Sequence, residues 1–317
     1  MGFRMNIQQM GCVIAVAALT AFSSMTAADV IAPAASDFAV LAGGNLSTGK
    51  DVRINGQIGA VGNIWLDRDV QVGSVIGMGN VSFSRDVAID GDVVHHGSYW
   101  ADRGTTVSGA VTDATASPNS WVLPSSTPAS FTASSGSYWY DKDSDVTLTP
   151  GRYGSLSVSK DSTVRLSAGV YDFDHVWFDK NVKLVADTSG GAVTIQAAGN
   201  LTIGKDGAFA DASGQHMVDV IVGGNIYLDK NAQVDGRLRA FGNASIDKDS
   251  TIGGSLTARG NVWLDKDVRV LGNTAALTSG GGAIVSAAVP EPAAAALMVA
   301  GAVLLAGRPS RRSVTIE

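Results

Sequence analysis

Aspartate is the most abundant group in this chain that could do chemistry, and its placement is regular. Of 29 acidic residues only Glu291 and Glu317 are glutamate. Aspartates flank a cation on both sides in Asp67-Arg68-Asp69, Asp141-Lys142-Asp143, Asp247-Lys248-Asp249 and Asp265-Lys266-Asp267. Carboxylates are hard-oxygen ligands, so Asp67, Asp69, Asp247, Asp249, Asp265 and Asp267 form a candidate set for Ca²⁺. The intervening cation opposes that reading, because a bound dication would repel it. A ladder of charges that neutralises itself explains the same motif without a ligand. Glycoside hydrolysis needs one positioned carboxylate pair, and among so many equivalent aspartates none stands out. His95, His96, His175 and His216 show no metal-ligand spacing. No Gly-x-Ser-x-Gly elbow occurs, and Gly280-Gly281-Gly282 lacks the lysine of a phosphate loop. The expectation is no catalytic residue, no metal and no cofactor.

The aromatic residues carry a sharper signal. Trp65, Trp100, Trp139, Trp177, Tyr227 and Trp263 each stand three residues before a lysine or arginine. They include five of the six tryptophans. The equivalent positions elsewhere hold Ser47, Ser82, Ser157, Thr202 and Ser245. If this column faces outward, it lays aromatic faces along one side of the molecule. Sugar rings stack on such faces, so a glycan-binding surface is expected. The competing arrangements are rings stacked on one another, rings covered by the segment 107–138, or self-association.

Those positions belong to a repeat. A Lys or Arg recurs at Lys50, Arg68, Arg85, Arg103, Lys142, Lys160, Lys180, Lys205, Lys230, Lys248 and Lys266, in steps of 18, 17, 18, 39, 18, 20, 25, 25, 18 and 18. Eight of the nine lysines fall in this column, which chance does not explain. Six residues earlier is Gly in all units but that of Lys180, and five earlier is Asn45, Asn63, Asn80, Asn200, Asn225, Asn243 or Asn261. Positions four and two earlier are apolar, as is the one four later; this period of two is strand alternation. Each unit therefore reads turn, short strand, charged turn, short strand. Strands so short bury a core only by stacking. The fold class predicted is all-β: a parallel β-helix (β-solenoid) of ~18-residue rungs, roughly a dozen of them. The asparagines should form an amide ladder in one turn. Longer steps before Lys205 and Lys230 should be outward loops. A β-sandwich is the alternative, but it has no reason to repeat side chains by position.

The flanks read as addresses. Residues 1–28 have Arg4, an apolar run from Gly11 to Phe22, and small residues at Met25-Thr26-Ala27-Ala28, as in a secretory signal helix. The only cysteine, Cys12, lies in it. At the other end Val289-Pro290-Glu291-Pro292 precedes an apolar transmembrane segment, 293–307, and then Arg308, Arg311 and Arg312. As a helix that segment reaches only ~22 Å, short for a membrane core. This order resembles the PEP-CTERM sorting signal over 289–312. The resemblance implies export, an exosortase-type membrane enzyme as processing partner, transient anchoring by the C-terminal helix, and a setting rich in exopolysaccharide. The remaining organisation is a solenoid part over 36–106, a Ser/Thr/Pro-rich loop or linker over 107–138, a second solenoid part over 139–275, and a flexible tether over 276–288.

Two short stretches carry further resemblance. Ser36-Asp37-Phe38-Ala39-Val40-Leu41-Ala42-Gly43 looks like the opening of bacterial ice-binding-like β-solenoids. Leu148-Thr149-Pro150-Gly151-Arg152-Tyr153-Gly154, with Ala168-Gly169-Val170-Tyr171-Asp172-Phe173, looks like segments of surface β-solenoids. Ice binding would need a regular array of short hydroxylated side chains, and Thr147-x-Thr149 is isolated. The net charge of −6 argues against nucleic acid as a partner. The reading is an exported surface or matrix protein that binds or organises exopolysaccharide. A structural self-assembling rod is the alternative; ice binding or a polysaccharide-acting enzyme trails both.

Overall fold

The computed structural model describes residues 37–114, 136–212 and 218–272. Within them the chain forms thirty-three short strands, from β1 (Phe38–Ala42) to β33 (Arg269–Val270). These make three parallel sheets of 11 strands each around one apolar core. Three strands, one per sheet, make a rung, so the molecule is a three-sided β-helix of eleven rungs, as the repeat predicts.

A rung forms because its inner positions are apolar and its corners accept only certain residues. In β5 (Ile64–Leu66) the burial pattern is in, out, in: Ile64 and Leu66 are buried and Trp65 is exposed. Such inner side chains contribute about 1.5–3 kcal/mol each when buried. Backbone groups find partners in the rungs above and below; Leu46 N–H, for example, donates to the Asn63 carbonyl at 2.9 Å.

The corner between the first and second sheets holds Gly-Asn. The Asn45 Oδ1 accepts the backbone N–H of Asn63 at 2.8 Å, and Asn63 Oδ1 accepts that of Asn80. Asn200, Asn225, Asn243 and Asn261 continue the series, and Asn261 hands over to Asn45. The expected amide ladder is thus corrected in kind: side-chain oxygen bonds backbone N–H, not the neighbouring amide. The same geometry requires the preceding glycine. A Cβ on Gly62 would lie 2.5 Å from Asn45 Oδ1 and 2.8 Å from the Gly44 carbonyl oxygen.

The corner between the second and third sheets holds the charged turn. The residue after the cation is left-handed in every rung: Asp51, Asp69, Asp86, Asp143, Asp161, Asn181, Asp206, Asn231, Asp249 and Asp267 have φ of 58–63°, and Gly104 has 80°. Asp and Asn tolerate this region better than other side chains, and Gly is free to adopt it. Arg103-Gly104 is therefore a full member of the series.

The order of rungs in space differs from their order in the chain. The first rung, β1 with β2 (Leu46–Thr48) and β3 (Arg53–Ile54), lies in the interior of the stack. On one side it pairs with β4 (Gln57–Ala60), β5 and β6 (Gln71–Val72). On the other it pairs with β31 (Leu256–Ala258), β32 (Val262–Leu264) and β33. From this seam the chain winds to one end, at β11 (Tyr99–Ala101), β12 (Thr106–Val107) and β13 (Val111–Asp113). It resumes at the opposite end, at β14 (Tyr138–Tyr140), β15 (Asp145–Leu148) and β16 (Gly151–Arg152), and winds back to the seam. The topology is that of a simple solenoid circularly permuted. The segment expected to break the pattern at 107 instead continues through β13, because Val111, Thr112 and Asp113 pair with Val93, Val94 and His95. The long steps fall between the third and first sheets, at residues 187–192 and 212–217.

Candidate functional site

The outward column of the second sheet is built by the in-out-in strands that form it. In nine of the eleven, two buried neighbours pin the middle residue to the outer face; in the end strands β11 and β14 the residues flanking Trp100 and Trp139 are half-buried or exposed. Trp65, Trp100, Trp139, Trp177, Tyr227 and Trp263 occupy that face and are all exposed, from 42% at Tyr227 to 72% at Trp139. Ser47, Ser82, Ser157, Thr202 and Ser245 occupy the same column and are half-buried. Among the described residues no ring contact joins two of these aromatics. The stack therefore does not close the rings against one another.

Their order in space is regular. From one end to the other the column reads Trp100, Ser82, Trp65, Ser47, Trp263, Ser245, Tyr227, Thr202, Trp177, Ser157, Trp139. Aromatic and hydroxylated residues alternate without exception, and the alternation continues across the seam between Ser47 and Trp263. Two of the indoles reach over the intervening rung: Trp139 Nε1 donates to Ser159 Oγ at 3.0 Å, and Trp65 Nε1 to Ser84 Oγ at 3.5 Å. Ser84 and Ser159 stand where every aromatic rung has an aspartate: Asp67, Asp102, Asp141, Asp179, Asp229 or Asp265. Sequence reasoning assigned neither serine a role; the substitution of Asp by Ser in those two units was the available signal.

The aspartates proposed for Ca²⁺ have two separate jobs. Asp67, Asp247 and Asp265 accept the N–H of the following residue at 2.7–2.8 Å. Asp69, Asp249 and Asp267 occupy the left-handed turn. Lys266 reaches Asp267 at 3.2 Å, and Lys230 reaches Asp249 of the next rung at 3.5 Å. The hydrogen bond and charge of Asp267, with Asp51 and Asp249 nearby, hold Lys266 above the usual lysine range. A groove at the seam, lined by Asp51, Arg53, Asp69, Asp267 and Arg269, draws its carboxylates from this same ladder. Among the described residues no three His, Cys, Asp or Glu side chains are grouped to hold a metal.

His175 and His95 are absorbed by the framework. His175 takes the place of Asn in its column, its Nδ1 accepting the Asn200 N–H at 3.1 Å. His95 is buried, stacks on Tyr99, and bonds the Gly97 carbonyl through Nδ1 at 2.7 Å. His216 and the sorting-signal residues Val289, Pro290, Glu291, Pro292, Arg308, Arg311 and Arg312 lie outside the described residues, as do residues 1–28. Among the described residues no helix is long and apolar enough to cross a membrane.

These features define a three-sided parallel β-helix with one aromatic face. The sequence model of the family described as a domain of unknown function (DUF7305) matches residues 103–288, more than half of the chain, and the chain belongs to that family. Among solved structures it is similar to a glycosylated ice-binding protein (LeIBP) from Arctic yeast, at 18% identity and a TM-score of 0.41, over 75% of this chain and 91% of that one. No curated protein matches.

Proposed function

We propose that this protein is an exported surface β-solenoid that binds extracellular polysaccharide along the second sheet. One observation carries the reading: six exposed aromatic side chains in a single column along the rod. Aromatic faces stack on the C–H faces of sugar rings, while adjacent hydroxyls and carboxylates can bond sugar hydroxyls. The outward column of the third sheet offers no comparable array. It reads Thr106, Ala88, Gln71, Arg53, Arg269, Thr251, Gln233, Ala208, Lys183, Thr163 and Asp145, a mixture that also does not suit ice.

Export through residues 1–28, and sorting of 289–312 by an exosortase-type membrane enzyme, belong to the same proposal. The described chain enters at β1, in the first sheet, and leaves after β33, in the third. Both points lie at the seam, on the corner opposite the second sheet. A protein anchored through its C-terminal segment would then lie on the surface with its aromatic face outward.

The test is tryptophan emission of the purified protein titrated with exopolysaccharide of the producing cells. A saturable shift is expected, and it should vanish when Trp65, Trp177 and Trp263 are all changed to Ser. Absence of any shift would remove the binding reading. The second reading, a self-assembling rod, rests on the two ends of the stack, β11 to β13 and β14 to β16, beyond which no further described strand is paired. Joining those ends would set Trp100 beside Trp139 and break the alternation. Sedimentation of the protein without glycan decides it, since a rod that assembles would form long polymers.

A further inference from the structure

We infer that the polysaccharide is an uncharged, β-linked chain in its extended two-fold form, lying along the rod axis with every second sugar on a ring. This rests on the glycan-binding reading and adds linkage, charge and orientation to it. The aromatic residues recur every second rung, ~9.6 Å apart at ~4.8 Å per rung. Packing explains half of this pattern. An indole that leans over the next rung, as Trp65 does toward Ser84 and Trp139 toward Ser159, excludes a second indole there. Packing does not require every remaining second rung to carry a ring. Yet all six do, and the phase is kept where Ser47 meets Trp263, two segments far apart in the chain.

A β-1,4-linked chain in its two-fold form turns each sugar half a revolution from the last. The same face therefore returns every second sugar, over a length close to two rungs. An α-1,4-linked chain coils and leaves a straight ladder after a few residues. The charge of the face selects further. Each aromatic rung carries Asp two residues beyond the ring and Lys or Arg three beyond; with the turn residue that follows, the turns sum to −1 beside Trp65, Trp139 and Trp263 and to zero beside Trp100, Trp177 and Tyr227, so none is net cationic. A chain bearing carboxylates or sulfates would find no net positive row to hold it and would be repelled at the three anionic turns.

The experiment measures binding of the full chain to three soluble polymers: glucomannan (linear, uncharged, β-1,4-linked), amylose (α-linked) and polygalacturonate (anionic). Two variants accompany it. Trp263→Ser removes one ring. Trp263→Ser with Ser47→Trp keeps the number of rings but moves one out of phase, beside Trp65; an unchanged melting temperature shows that the added indole is accommodated there, and the phase test is read only then. Glucomannan should bind saturably and the other two at least about tenfold more weakly. Both variants should lose about tenfold for glucomannan, the size of one lost stacking contact. Recovery of wild-type binding in the double variant would overturn the two-rung period and leave glycan binding standing. Equal binding of amylose or polygalacturonate would overturn the linkage or the charge. Failure of all three polymers together with the native exopolysaccharide would sink the glycan reading itself. The mirror exchange, Trp263→Ser with Ser245→Trp, repeats the phase test, and melting curves identify either double variant if it fails to fold.

Discussion

Gly62 and Asp249 show how single residues set this fold. A methyl on Gly62 would enter the space of Asn45 Oδ1 and the Gly44 carbonyl, and the backbone there cannot retreat without breaking the rung pairing. Gly62→Ala is expected to destabilise the protein by about 1–3 kcal/mol, the usual size of an overpacking defect. Its melting temperature against wild type checks this; an unchanged value would mean the corner is looser than its geometry. Asp249 sits at φ 63° and pairs with Lys230. An exposed ion pair contributes ~0–1 kcal/mol, whereas left-handed backbone costs a residue with a Cβ about 1–2 kcal/mol. Asp249→Gly should therefore melt close to wild type and Asp249→Val clearly lower. Were the two variants to melt together, charge rather than backbone conformation would explain the aspartate column. In the sequence those aspartates read as a charge ladder or as Ca²⁺ ligands, because φ is not visible in a list of residues. Gly104, which took the place of Asp in one unit, was the clue that conformation was being selected.

Each strand is too short to have a fate of its own. Three residues such as Ile64-Trp65-Leu66 bury two side chains and present one. That division was legible, since apolar residues at alternate positions define an inside whatever the rung packs on. The exposed side of the second sheet was likewise expected from its aromatic and hydroxylated residues. Less legible was the last rung before residue 115. Its outer strands β11 to β13 lie at an end of the stack, so their residues are less buried and less uniformly apolar. Val111 and Ala101, at positions that face inward in other rungs, are both exposed there, and Tyr99 is only half-buried. Among the described residues an end rung has one neighbouring rung instead of two, so its composition drifts toward that of a loop.

The molecule as a whole depends on a junction between residues distant in sequence. Arg53 and Arg269 are partners across the seam. Neighbouring strands place such Cα atoms within the range a disulfide can bridge. Arg53→Cys with Arg269→Cys should oxidise to a disulfide, read as altered mobility on non-reducing electrophoresis. Arg53→Cys with Thr106→Cys, three rungs apart, should not. A reversed outcome would mean that the two solenoid parts do not join at this seam. The same junction carries the functional reading. In chain order the aromatic column falters, because Trp100 is followed by Trp139 with no hydroxylated residue between them. In space those two tryptophans stand at opposite ends, and Ser47 beside Trp263 restores the phase. The repeat unit, its turns, its core positions and the outward column follow from the sequence alone. Each is a local demand, met by Gly where backbone approaches closely, by Asp or Asn where φ is positive, and by apolar side chains on alternate residues. The stacking order does not follow, because every rung presents the same backbone edge and could pair with any other. Only the closed structure decides which rungs are neighbours, and with them the two-rung period of the face.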